Sequence, residues 1–226
     1  MIKKLLIAGG VCLAAACSQL LSDETAQKPV DVESYHDFNT LIKNHEFNHY
    51  PKFDGITCAV IVINSLASNS NEPTQLGNKS IVTQENIFDN DLVTAVIKPE
   101  SVEKNGVALE QLTQIFQIYG LKAQAQYPHI MTEDALVSTI VDTLNDPNTM
   151  MIVHFDETHS SLKNKISYSV VAGYSSETDS VLLLNVGQEC KTKQWVKTKH
   201  LLKGMQALDE NHTPRGFILV TKPVEE

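Results

Sequence analysis

Apolar residues recur at helical spacing over most of this chain and run as short, strand-length blocks in its last third. In ESYHDFNTLIKNHEF, residues 33–47, Tyr35, Phe38, Leu41 and Ile42 fall on one face of a helix. In VALEQLTQIFQIYG, residues 107–120, Leu109, Leu112, Phe116 and Tyr119 share a face, and Gly120 supplies the stop. TEDALVSTIVDTLNDP, residues 132–147, predicts a further helix. Thr132 is its N-cap, Glu133 and Asp134 stand in its first turn and Pro147 lies beyond its end. ITCAVIVINSL, residues 56–66, is apolar all round and predicts a buried element, helix or strand.

Strand-like runs follow at 149–155, 166–174, 180–186 and 216–222, the second and third joined by SSETD as a hairpin. TKHLLKGMQAL, residues 198–208, predicts the last helix. Helices come first and an antiparallel sheet after, so the predicted class is α+β. ASNSNEPTQLGNKS, residues 67–80, is a loop.

At 226 residues the chain suits one medium domain with a sizeable core. A net charge of −9 argues against a nucleic-acid surface, which needs clustered Lys and Arg. The first residues are not part of the fold. MIKK is a basic start and LLIAGGVCLAAA an apolar run too short for a transmembrane span, so 1–16 is expected to be a signal peptide. LAAAC resembles a bacterial lipoprotein box with Cys17 as the lipidated residue, which implies a lipid anchor in the cell envelope. Plain export, after cleavage at the A-x-A of Ala14–Ala16, is the alternative. Cleavage removes Lys3 and Lys4 and deepens the charge to about −11. Residues 17–32 read as a polar tether and 33–226 as the domain. Cys58 and Cys190 remain in the domain, and two cysteines are no disulfide framework, so both are expected to be free thiols.

HEFNH places His45, Glu46 and His49 in an H-E-x-x-H pattern, in which two histidines one helical turn apart bind zinc. Pro51 stops any helix there and no G-x-x-H follows, so the match reads as chance and no metal or cofactor is assigned. A zinc peptidase stays only as a remote alternative. Cys58 is the second candidate. A catalytic thiol wants a helix N-terminus and a base, but Cys58 sits a turn inside its apolar run and reads as a core thiol.

QWVKTKHLLKGMQALD...PRGFILVTK, ISYSVVAGYSSETDSVLLLNV and PKFDGITCAVIVINSL resemble the phytochelatin synthase family from about residue 45 onward. Pro51, Phe53, Gly55, Val62, Asn64 and Leu66 meet equivalent residues of the third stretch. The resemblance implies a papain-like fold and a glutathione γ-glutamylcysteinyltransferase ancestry. It also implies that the family's nucleophilic cysteine falls on Asp54, its general-base histidine on Ser167 and its orienting aspartate on Asn185. The oxyanion glutamine falls on Asn48, and Cys58 takes the place of a core serine. None of these groups can both attack an amide and shuttle its proton. Asp54 instead suits a helix N-cap. Asp209 and Arg215 align with residues of the family's γ-glutamyl pocket, or form an ordinary surface ion pair; His154 either adds a polar contact beside the cleft or is an exposed histidine.

The expected protein is therefore an exported phytochelatin synthase-like domain, catalytically degenerate, with a small γ-glutamyl peptide as its partner. An active transferase or peptidase is the alternative. It needs Cys58 moved into the cleft by one helical turn and a base from His154 or His159.

Overall fold

The computed structural model describes residues 35, 37–68, 81–156, 168–188, 191–208 and 215–223. By its contacts Val32–Glu226 is one compact unit. Helix α1 spans Phe38–Asn44 and α2 spans Asp54–Ser68; α3 (Asp91–Val96), α4 (Pro99–Asn105) and α5 (Leu109–Ile118) follow. Strand β1 (Lys122–Gln126) precedes α6 (Glu133–Asn145) and β2 (Thr149–His154). Next come β3 (Tyr168–Ser175), β4 (Ser180–Asn185), β5 (Lys193–Lys197), α7 (Thr198–Gln206) and β6 (Gly216–Thr221).

The six strands form one antiparallel sheet in the order β1-β6-β2-β3-β4-β5. Both faces are covered, which is why the central strands read as continuous apolar runs instead of alternating. Met150, Ile152, Val170, Leu182, Leu184 and Ile218 meet the layer of α1, α2 and α5. Met151, Val153, Val171, Leu183 and Phe217 meet α6 and α7. The architecture is α+β, helices first, as the family resemblance implies for a papain-like fold.

Residues 56–66 resolve as helix. Ile56, Val60, Ile61 and Ile63 have 1% or less of their surface exposed, because α2 packs on the sheet and against helices α1 and α5. The Thr132 cap is present, its hydroxyl accepting from the Ala135 amide at 3.3 Å. Gly120 ends α5 with a φ of 82°, in the left-handed region where glycine has no Cβ penalty.

Several elements depart from the sequence reading. α1 stops at Asn44, so Glu46 and Phe47 belong to a loop. Two short helices and a 3-10 turn (Asn86–Asp89) fill 86–105, where no element is predicted. The sheet gains two edge strands, β1 and β5. KAQAQ and KQWVK are too polar to read as strands and are held by pairing with β6 and β4.

Candidate functional site

The first residue of α2 is Asp54, and its Oδ2 accepts the Tyr168 backbone N–H at 2.9 Å. One carboxylate thus ties the positive end of the helix to the start of β3. The approach is close because the next residue is Gly55. A Cβ there would stand 2.4 Å from Val107 Cγ1 and 3.1 Å from the Tyr168 ring. Ser167, immediately before Tyr168, lies outside the described residues.

Tyr168 is the centre of this corner. Its ring stacks on His154 at 4.2 Å with 10° between the planes, and its hydroxyl donates to the Val107 carbonyl at 2.8 Å. Burial, then the nearby Asp54 carboxylate, pushes its phenol well above the ordinary range, so it stays a neutral donor. His154 closes β2, paired across the sheet with Tyr168 on one side and Gly216 on the other. At 6% exposure it is a buried histidine, which corrects the exposed alternative.

Arg215 pairs through Nη1 with Asp156 Oδ2 at 2.9 Å, and its side chain is only 12% exposed. The pairing with Asp209 suggested by sequence cannot be followed, since Asp209 lies outside the described residues. Asp156 is fixed in turn by its amide, which donates to the Gly204 carbonyl at 3.0 Å.

Asn185 occupies the end of β4, fully buried. Its Oδ1 accepts from Ser169 Oγ at 3.0 Å, and its Nδ2 donates to the Lys191 carbonyl at 3.0 Å and to Gln194 Oε1 at 2.6 Å. Its backbone carbonyl meets His45 Nε2 at 2.7 Å. Asn48 lies on the same loop as His45. Its amide donates to the Val186 carbonyl at 2.8 Å, while its side-chain Nδ2 reaches the Tyr50 carbonyl at 3.4 Å. The H-E-x-x-H residues are not on a helix. His49 pairs with Glu85 at 2.8 Å and Glu46 accepts from Gln84, so each side chain has a use of its own. Among the described residues, no group of three or more His, Cys, Asp or Glu could hold a metal.

Cys58 is fully buried in the α2 core and free. Burial, with the Asp54 carboxylate adding to it, drives its thiol pKa well up, the opposite of what a nucleophile needs. Cys190, like Cys17 and His159, lies outside the described residues.

Sequence reasoning missed Tyr168, Asp156, Ser169 and Gln194. Gly55 carried a usable signal for the first, since a glycine at the head of a buried helix marks a close approach. The other three contacts come from register and left no local trace.

A family model described as phytochelatin synthase matches residues 13–217. The "Glutathione gamma-glutamylcysteinyltransferase 1" of Arabidopsis thaliana is 22% identical over 214 residues, 94% of this chain and 42% of its own length. The "Glutathione gamma-glutamylcysteinyltransferase" of Schizosaccharomyces pombe is 22% identical over 171 residues, 75% of this chain and 40% of its own length. The chain thus spans about two-fifths of the length of the curated relatives it matches. Among solved structures, a double glycine motif protease from an AMS/PCAT transporter aligns with a TM-score of 0.45 at 10% identity, covering 79% of this chain and 89% of that one. The peptidase domain of Streptococcus ComA aligns at 0.42 and 13%, covering 77% and 97%.

Proposed function

The chain belongs to the phytochelatin synthase family, and from that premise we propose that it is an exported, lipid-anchored member that binds a γ-glutamyl peptide without turning it over. The observation that carries the reading is the residue at the head of α2. A carboxylate stands there, bonded to the Tyr168 amide, where the family's alignment puts the thiol. A carboxylate is a feeble nucleophile toward an amide. The rival reading needs Cys58 in the cleft, and a fully buried thiol with a raised pKa disfavours it.

Binding is supported by Arg215. Its guanidinium is largely buried beside Asp156, and its Nε makes no hydrogen bond among the described residues. A guanidinium fork suits an α-carboxylate.

Two measurements on the purified protein test this. Mass spectrometry after incubation with glutathione is expected to find no γ-glutamylcysteine polymer and no released glycine. Calorimetry is expected to find glutathione binding that weakens about tenfold or more in Arg215→Ala, the loss of one charge-assisted contact. Turnover that vanishes in Cys58→Ser would restore the enzyme. Attachment is read by fractionation: Cys17→Ala is expected to move the protein from membrane to soluble fraction, and a wild type already soluble would replace the anchor with plain export.

A further inference from the structure

Charge is distributed unevenly in this acidic chain. Between Cys190 and Leu208 there are five lysines and no Asp or Glu, against a net charge of −9 overall. The first of these residues build β5, an edge of the sheet. On β5 Lys193, Trp195 and Lys197 are exposed and alternate with half-buried Gln194 and buried Val196, so the three project to one side. Trp195, at 40% exposure, is the only tryptophan of the chain.

The charges along this edge are not equally available. Lys197 donates to the Thr178 carbonyl and sits beside Asp179, and Lys199 faces Glu133. Lys191 and Lys193 pair with no carboxylate among the described residues, and Lys193 Nζ lies 4.8 Å above the Phe38 ring. Lysines alone on an edge strand have an ordinary use, which is to deter strand pairing. A half-exposed tryptophan between them works against that use. An aromatic with a polar N–H flanked by ammonium groups is instead the composition of a protein surface that meets lipid headgroups.

We propose that the Lys191–Lys193–Trp195 edge of β5 docks on an anionic membrane surface. The choice of a bilayer over another occupant rests on the export-and-anchor reading above. Phe38, under Lys193, opens the first helix of the domain, and only 17 residues separate Cys17 from Tyr35. Even fully extended they reach about 60 Å, so a lipid on Cys17 would keep the domain, this edge included, within that distance of the bilayer and at high effective concentration. Lysines then gain from anionic headgroups within a Debye length, and Trp195 settles at the interface.

The test uses residues 17–226 with Cys17→Ser, which carries no lipid and keeps the whole compact unit Val32–Glu226. It is mixed with vesicles of phosphatidylcholine alone, or of equal parts phosphatidylcholine and phosphatidylglycerol, at low and high salt. Expected are binding to the anionic vesicles only, loss of binding in high salt, and a blue shift of Trp195 emission on binding. K191Q/K193Q lowers the affinity roughly 25-fold, about fivefold for each lysine, while K122Q on the opposite edge strand leaves it unchanged. Absence of anionic-vesicle binding, equal binding to phosphatidylcholine, or binding with unmoved Trp195 emission each overturns the proposal. Labelling of the wild type with radioactive palmitate separates the two readings. A protein that takes no label yet binds anionic vesicles keeps this face and loses the anchor; a labelled protein whose unlipidated form ignores them loses the face.

Discussion

Two corners of this molecule, at the positions that the family resemblance aligns with a nucleophile and an orienting carboxylate, are built in opposite ways. At the head of α2, Asp54 remains half-buried, and its side chain accepts the Tyr168 amide of the sheet. At the end of β4, Asn185 is sealed in, with both ends of its carboxamide committed and its backbone carbonyl taken by His45. The first position is half-buried and the second sealed among its partners, so a new side chain costs more at the second.

The largest effect is therefore expected from placing at 185 the aspartate that the family resemblance implies there. Asn185→Asp replaces a donor with a carboxylate aimed at the Lys191 carbonyl and Gln194 Oε1, two acceptors, in a fully buried site. Chemical denaturation should register a loss of about 3 kcal/mol or more; a neutral result would break the contrast between the corners. Next comes Gly55→Ala, whose Cβ collides with Val107 and crowds Tyr168. A loss of about 1–3 kcal/mol is expected, partly recovered in the double variant with Val107→Ala. Asp54→Asn keeps an acceptor for the Tyr168 amide and loses only its charge. About 1 kcal/mol is expected there, which sharpens the claim that this corner is permissive.

The smallest effect concerns the loop that laces Asn185 in place. The hydrogen bond to Glu85 raises the His49 pKa above 6.5, and the same bond lowers that of Glu85 below 4.5. The histidine's contribution is present below its unfolded pKa and fades as pH rises through its raised folded value. The glutamate's contribution is present above its unfolded pKa and fades as pH falls through its lowered one. The pair thus helps only between those limits, and both side chains are about half exposed, so His49→Ala should cost under ~0.5 kcal/mol at pH 6. An NMR titration should find the His49 pKa falling back toward its ordinary value in Glu85→Gln.

Much of the fold was legible because its main elements are set by local chemistry. The Thr132 cap, the Gly120 stop and the apolar run of 56–66 need no partner to be recognised. The edge strands were not legible, since KAQAQ and KQWVK have no strand pattern and exist only where β6 and β4 offer them hydrogen bonds. At the candidate site, Asp54 and Asn185 were singled out by the family resemblance alone. What each of them touches was not, because Tyr168, Ser169 and Gln194 reach them through sheet register over separations of 9 to 114 residues.

The sheet order has a consequence for the timing of folding. β6, the last of these six strands in chain order, lies between β1 and β2, which are not paired with each other. Until residues 216–221 arrive, the nascent sheet is a β2-β3-β4-β5 ribbon with β1 stranded on the far side of a gap one strand wide. Ile218 and Val220 complete one core layer and Phe217 the other, so neither hydrophobic layer closes before that moment. Closure joins contacts distant in sequence, which makes it slow. The stretch from β1 to β5 therefore stays incompletely folded, and threadable, until residues 216–221 have been made.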